Sequence, residues 1–200
     1  MIRFFGRDRA RRARQWLSGC LFALVCATGN AQAAEKVEEL TLPQRAEVAW
    51  QAGYVFHVLG EYERAVTLFR ASIDAHPTAE AHTFLGWSLS HLGQLKEAIA
   101  QCETAIKLDP EFGNPYNDIG VYLIELGRPE EAIPWLQKAI AAKRYCCYQF
   151  AHANLGRVLL AQGKVEDAQR SFERALEHDP NYLPALIGLE YIKQSGYRGL

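Results

Sequence analysis

One short pattern, repeated four times, constrains this chain of 200 residues more than any other feature. Its copies read GEYERAV, GQLKEAI, GRPEEAI and GKVEDAQ, and their glycines lie 33, 34 and 36 residues apart. The copies begin at Gly60, Gly93, Gly127 and Gly163. A second glycine precedes each copy by seven residues, at Gly53, Gly86, Gly120 and Gly156. The same steps separate Ala65, Ala98, Ala132 and Ala168, and they separate Phe69, Cys102, Leu136 and Phe172.

The spacing within each copy predicts a pair of helices. Apolar residues recur at three- and four-residue steps, which gives each helix one apolar face. The glycine that opens each copy suits the end of a first helix, because glycine adopts the required backbone conformation at little steric cost. Gly and Ala in the helices allow two axes to approach closely. Because a single helix pair cannot bury its own apolar face, the sequence predicts a stack of such pairs.

These residues resemble the tetratricopeptide repeat (TPR) family over positions 46–182. That family combines Leu-Gly on a first helix with Ala, a bulky residue and a final Pro on a second helix. Two positions depart from the pattern, since Ala52 precedes Gly53 and Arg144 replaces the final Pro of the third unit. The resemblance implies an all-α, right-handed superhelix of stacked antiparallel helix pairs. The expected units span residues 46–78, 79–112, 113–148 and 149–182, after a lead-in over 34–45.

A capping helix and tail are expected over residues 183–200, with the helix from Pro184 to Lys193 and with Leu186 and Leu189 covering the fourth unit. Glu190 and Lys193 would then face water.

The first 33 residues have the pattern of a secretory signal peptide. Six arginines precede an apolar run from Trp16 to Ala27, and a small-residue site, Ala31-Gln32-Ala33, follows it. The run has 12 residues, too few to span a bilayer. Two alternatives remain open: a lipoprotein box ending at Cys20 and a twin-arginine signal at Arg11-Arg12. We expect cleavage after Ala33 and export, to the periplasm if the source is bacterial.

The charge of the expected mature chain disfavours nucleic acid as a partner. The whole chain carries 22 basic and 23 acidic residues. Removing the six arginines and Asp8 of the leader leaves 16 basic and 22 acidic residues, a net charge of −6. Recognition of nucleic acid begins from a basic footprint, which this balance lacks. No membrane span is expected in the mature chain.

Two adjacent cysteines interrupt the repeat in RYCCYQF, residues 144–150. The simplest interpretation is a longer connection between units three and four, in which Tyr145 and one cysteine cover the apolar seam. Zinc sites usually pair cysteines as Cys-x-x-Cys, so the sequence predicts no metal. A metal- or redox-linked role for Cys146 and Cys147 stays an alternative. Because the mature chain has an odd number of cysteines, a disulfide from Cys146 or Cys147 to a partner or second copy is also possible.

Motifs for catalysis are missing from the sequence. It contains no Gly-rich phosphate loop, no His-Glu-x-x-His and no Gly-x-Ser-x-Gly. The repeated acids Glu97, Glu131 and Asp167 occupy equivalent helix starts, where the helix dipole explains them. We therefore expect no enzyme and no cofactor.

The resemblance implies that first helices line a concave face that holds an extended peptide or a partner helix. That face would present Trp50, Tyr54, His57, Phe84, Trp87, His91, Asn117, Asp118, Asn154 and Arg157. Aromatic residues are favoured binding anchors. Some family members clamp a terminal carboxylate with Lys and Asn. The matching positions here are Trp50, Tyr54, Phe84 and Asp118, which cannot make that clamp. The sequence thus predicts a non-catalytic binding scaffold or assembly factor of a bacterial cell envelope.

Overall fold

A computed structural model describes residues 40–196. The predicted signal peptide, the Cys20 lipoprotein box and the twin-arginine motif all lie outside the described residues. Across residues 40–196 the chain forms nine helices and no strand. They are α1 (Leu42–Val58), α2 (Tyr62–Ala75), α3 (Ala79–His91), α4 (Leu95–Leu108), α5 (Gly113–Glu125), α6 (Pro129–Ala141), α7 (Tyr148–Ala161), α8 (Val165–His178) and α9 (Leu183–Gln194).

The helices pack as four successive pairs followed by a single final helix. Each helix contacts the next one along the chain, and the tightest contacts are those within a pair. Successive first helices, α1, α3, α5, α7 and α9, also contact one another directly. Successive second helices make at most marginal contact within residues 40–196. The first helices therefore form the inner layer of the stack, and the second helices form its outer layer.

Glycines fix both the turn and the spacing within each pair, as the sequence indicates. Gly60 and Gly93 end their first helices with φ of 80° and 74°, a region that side chains rarely adopt. Gly86 lies against the second helix of its pair, where an added Cβ would stand 3.2 Å from Cys102 Sγ. Cys102 is fully buried, and burial raises its thiol pKa well above the usual value. Cys102 therefore fills the core position that Phe69, Leu136 and Phe172 fill in the other units.

The final helix covers the fourth unit through a different face from the one we predicted. Ala185, Gly188 and Ile192 are buried on α9, whereas Leu186 is 41% exposed. Gly188 sets this rotation, because a Cβ there would stand 2.5 Å from the Phe172 ring. The ring of Phe172 thus packs directly on the helix backbone. The expectation for Leu186 was wrong, while Leu189 does pack against this core.

The RYCCYQF segment docks onto the preceding connection between units. The Arg144 N–H donates to Glu111 O at 2.9 Å, and the Gly113 N–H donates to Arg144 O at 3.0 Å. The Arg144 guanidinium pairs with Asp109 at 2.6 Å and Glu80 at 2.8 Å. It also lies 4.0 Å from the centroid of the Phe112 ring. Arg144 therefore ties the end of the third unit, where the final Pro is missing, to the second unit.

The residue after Arg144 completes this contact. Tyr145 is only 7% exposed and packs with Ala139, Ala142 and Ala151, and Cys147 contacts the same cluster. The interpretation of RYCCYQF as a longer connection covering the apolar seam is thereby confirmed.

We expect Arg144→Ala to lower the free energy of unfolding by about 1 to 2 kcal/mol, because it removes two ion pairs and one cation–π contact between segments distant in sequence. Chemical denaturation measures this change. Arg64→Ala is the matched control, since Arg64 also contacts an acid and a ring, Glu61 and Phe56, but only locally. Its exposed pair should contribute about 0.5 kcal/mol or less. Equal losses in both variants would contradict a docking role for Arg144.

Candidate binding groove

Four aromatic side chains form one cluster across the inner faces of α1 and α3. The Trp50 and Tyr54 rings are one helical turn apart on α1 and stack with centroids 5.9 Å apart. Phe84 of α3 meets them edge-on at 5.2 and 5.5 Å. Trp87 lies 5.6 Å from Phe84. Tyr54 and Trp87 remain 38% and 41% exposed, so the cluster offers aromatic surface to a ligand while Trp50 and Phe84 support it from behind.

His57 lies beneath this cluster and does not reach its surface. The ring is 7% exposed and stands 4.5 Å from the Trp87 ring. Its Nδ1 is 2.9 Å from Ser88 Oγ, which itself donates to Phe84 O. The hydroxyl must therefore accept a hydrogen bond from the Nδ1–H of His57. Burial, and to a lesser degree His91, lowers the pKa of His57 to about 4, so this histidine is neutral at physiological pH.

His91 extends the aromatic cluster towards the edge of the groove. It is exposed, and its ring stacks on Tyr62 with centroids 4.4 Å apart. Tyr62 was missed by sequence reasoning. Its only signal was an aromatic residue in the GEYERAV copy, where GQLKEAI, GRPEEAI and GKVEDAQ carry Leu, Pro and Val.

A chain of polar side chains continues the inner layer across units three and four. Asn154 Nδ2 donates to Asn117 Oδ1 at 3.1 Å, and Asn117 Nδ2 donates to Asp118 Oδ1 at 3.3 Å. Asn117 is 7% exposed, whereas Asn154 is half-buried and Arg157, one turn further along α7, is exposed. The side chains of Asn154 and Arg157 are therefore the more accessible members of this polar region.

Asp118 is the electrostatically unusual residue of the groove. Desolvation raises the pKa of its carboxyl from 3.8 to about 7, and the hydrogen bond from Asn117 only partly offsets that rise. Burial raises the pKa of the Tyr122 phenol, and the Asp118 carboxylate adds to that rise. Tyr122 is 3% exposed, and its hydroxyl oxygen is among the buried polar atoms without a hydrogen-bond partner. The charge of this part of the groove thus changes near neutral pH.

The family assignment rests on comparisons with known proteins. Two family models match the chain, and both are described as tetratricopeptide repeat. One matches residues 23–80, 51–111 and 85–145, and the other matches residues 149–182. The chain belongs to the tetratricopeptide repeat family. The first of these matches begins at residue 23, within the segment predicted to be a signal peptide.

Curated relatives of this TPR protein are longer proteins. DnaJ homolog subfamily C member 3 of Mus musculus is 31% identical over 111 residues, which cover 56% of this chain and 22% of that protein. TPR repeat-containing protein YpiA of Bacillus subtilis (strain 168) is 27% identical over 140 residues, which cover 69% of this chain and 33% of that protein. The chain thus spans about a fifth to a third of these relatives.

Solved structures confirm the predicted all-α TPR-like solenoid. MamA has a TM-score of 0.63 at 18% identity and covers 96% of this chain and 100% of its own. YrrB, described as a TPR protein with an unusual peptide-binding site, has a TM-score of 0.62 at 20% identity. The match covers 85% of this chain and 88% of the YrrB chain. Pseudomonas aeruginosa PilF has a TM-score of 0.66 at 24% identity, covering 79% of each chain.

Both ends of the inner layer of this TPR protein carry exposed apolar surface. At the far end Ile187 and Tyr191 of α9 are 59% and 62% exposed, and Phe150 of α7 is 36% exposed. From the last two units we had predicted only the polar residues Asn117, Asp118, Asn154 and Arg157, and from α9 no binding residue. The signal was available, because Leu183, Ile187 and Tyr191 follow one another at four-residue steps.

The described part of the TPR protein shows neither a metal cluster nor a membrane helix. No three or more His, Cys, Asp or Glu residues within it stand close enough to hold a metal ion. None of its helices is both long and apolar enough to cross a membrane.

The adjacent cysteines of the third connection are paired with each other. The structure joins Cys146 to Cys147, and Cys146 is exposed at the surface. The disulfide to a partner or second copy stays a prediction, and it would require this pair to be open.

Proposed function

We propose that this TPR protein binds an extended segment of another protein along its inner layer, without catalysis. The observation that carries the proposal is the partly exposed cluster of Trp50, Tyr54, Phe84 and Trp87 beside the polar chain of Asn117, Asp118 and Asn154. Its relative YrrB is described as having a peptide-binding site, which supports the same class of function.

The two regions would contribute differently to binding. Tyr54 and Trp87 offer flat, rigid surface, so burying it under apolar side chains of a partner gives contact area at a small cost in conformational entropy. Asn154 keeps amide groups that can bond to the backbone of an extended chain. Arg157 lies one turn away and suits an acidic side chain. Asp118 would repel a terminal carboxylate, so we propose an internal segment of the partner as the ligand.

The double variant Trp50→Ala, Trp87→Ala tests which surface binds. We expect cross-linked affinity capture from an envelope extract to recover a partner with the wild-type chain and to lose it, by about tenfold or more, with this variant. The matched control is Tyr116→Ala, Trp135→Ala, which removes an aromatic pair between α5 and α6, with centroids 6.2 Å apart, that is not part of the inner aromatic cluster.

Thermal denaturation of both variants must accompany the capture, so that loss of folding is not read as loss of binding. If the inner variant stays folded and still captures the same partner, the groove is not the binding site.

We also propose that the protein acts in the cell envelope of a bacterium, as a scaffold or assembly factor after export. The leader pattern over residues 1–33 supports this location. Intact mass of the protein isolated from its host tests it. A chain that starts at Ala34 supports cleavage and release, an acylated start at Cys20 supports a lipoprotein, and an uncleaved start at Met1 contradicts both.

A further inference from the structure

A cleft of about 450 Å³ opens on the outer side of the stack, where unit three meets unit four. Its walls come from α6, α7 and α8. It is lined by Gln137, His152, Leu155, Leu159, Asp167, Arg170, Ser171 and Arg174. The size falls within the range of small-molecule sites in proteins. Because the chain is a repeat, the equivalent positions of the other units can be compared with those that line the cleft.

Between units one and two the equivalent positions carry polar pairs. Arg70 reaches across the junction to Glu97 with an N–O distance of 2.8 Å. His82 Nδ1 donates to Gln101 Oε1 at 2.7 Å, which joins the two helices of unit two on the same side.

Between units two and three the equivalent positions carry aromatic side chains. Tyr116 and Trp135 occupy the positions equivalent to His82 and Gln101, and their ring centroids are 6.2 Å apart. The Lys138 ammonium lies over the Trp135 ring, 4.6 Å from its centroid.

Neither arrangement exists between units three and four. Gln137 stands at the position of Arg70, so no cation reaches across to Asp167, which replaces Glu97. Ser171 stands at the position of Gln101, and its short side chain donates to Asp167 O at 2.9 Å. His152, equivalent to His82, therefore has no amide partner. It makes a ring contact with His178 at 5.7 Å but no hydrogen bond to a described residue.

Two arginines stand on the α8 wall of the open cleft, beside the acid Asp167. Arg170 and Arg174 are one turn apart, and each uses a single N–H on an acid of its own helix, Asp167 or Glu177. Both pairs are exposed, and such pairs contribute little to stability. A guanidinium carries five N–H donors, so most donors of both arginines remain available. Burial lowers the pKa of His152, and His178 and Arg174 lower it further, while Glu177 acts in the opposite direction.

We propose that this cleft binds the anionic group of a small molecule, a carboxylate or a phosphate, between Arg170 and Arg174. Planar guanidinium groups match the geometry of both anions and bind them by paired hydrogen bonds. His152 and Gln137, on the facing helices, would supply neutral donors to the same group. None of the residues that line the cleft belongs to the groove proposed for the protein partner.

Isothermal titration of the full chain with two probes, citrate and inorganic phosphate, tests the proposal at constant ionic strength. We expect at least one probe to bind the wild type. Arg170→Gln, Arg174→Gln should weaken that binding by about tenfold or more, since each lost charged hydrogen bond is worth roughly that factor. Arg64→Gln, Arg128→Gln is the matched control, because it removes two arginines from equivalent exposed pairs with Glu61 and Glu131.

A second variant closes the cleft without changing its charge. Ser171→Gln restores the residue that unit two uses to bond His82, and we expect it to remove anion binding while leaving both arginines in place. Its melting temperature should stay near that of the wild type. Binding of citrate alone assigns a carboxylate ligand, binding of phosphate alone assigns a phosphate ligand, and binding of both supports the shared anion chemistry. Failure of both probes to bind the wild type at about 10 mM would overturn the proposal, as would undiminished binding to the double arginine variant.

Discussion

Replacing Gly120 with valine is expected to lower the free energy of unfolding by about 3 kcal/mol, the upper part of the range for overpacking a core. A Cβ at this position would stand 2.6 Å from Leu136 Cδ2 and 2.8 Å from Leu136 Cγ. Leu136 is fully buried, so it has no free space to move into. The helices α5 and α6 must separate, and the effect should spread to the neighbouring units, because each unit is stabilised by its contacts with the next.

Two further variants make this result specific to the helix contact. Ala161→Val adds the same branched side chain at an exposed position of a first helix and should change stability by about 0.5 kcal/mol or less. Leu136→Ala removes the obstructing side chain, so the double variant with Gly120→Val should be more stable than the sum of the two single changes. Chemical denaturation gives all four values. An unchanged unfolding midpoint for Gly120→Val would contradict the role assigned to Gly120.

Replacing Asp118 with asparagine is expected to stabilise the protein at pH 8 and to have little effect below pH 4. The pKa of this carboxyl is about 7 in the folded protein, against 3.8 as its ordinary value. Between these values the folded chain binds more protons than the unfolded chain, so stability falls as pH rises through this window. The full shift corresponds to roughly 4 kcal/mol, and we expect about 2 kcal/mol because Asp118 keeps part of its surface exposed.

Thermal denaturation from pH 4 to pH 8 measures this change. Asp74→Asn is the matched control, since Asp74 is an exposed acid on the outer helix α2. Its stability profile should follow that of the wild type. A stabilisation by Asp118→Asn that is equal at pH 4 and pH 8 would contradict burial of an ionised carboxylate as the cause. If the groove uses Asp118 to bind its partner, the stabilised variant should bind that partner more weakly.

The repeat made the fold predictable because each slot has a local physical reason. Gly60 must end a helix, Gly120 must admit Leu136, and neither depends on distant parts of the chain. The orientation of α9 was not predictable in this way. Leu186 and Leu189 are equally apolar in the sequence, and only the approach of Phe172 to Gly188 decides which face is buried. The docking of Arg144 was also beyond sequence reasoning, because Glu80 and Asp109 lie 64 and 35 residues away from it.

The clustering of the aromatic residues was predictable, but their accessibility was not. The repeat register places Trp50, Phe84 and Trp87 on first helices, and the structure brings them into one cluster. The register alone does not reveal that the His57 side chain turns inward to Ser88, because that contact depends on how two units stack. The outer cleft was missed for a different reason. It arises from what Gln137 and Ser171 fail to fill, and only comparison of equivalent positions in neighbouring units shows that difference.

The most direct test of the proposed groove is a nuclear magnetic resonance titration that follows the tryptophan indole N–H signals. A peptide selected from a random display library against the wild-type chain serves as the ligand. Trp50 and Trp87 lie in the groove, whereas Trp135 lies between α5 and α6 and is not part of the inner aromatic cluster, so the protein carries its own control. We expect the signals of Trp50 and Trp87 to shift on binding and that of Trp135 to stay in place. A selected peptide that shifts Trp135, or that shifts none of the three, would contradict binding along the inner layer.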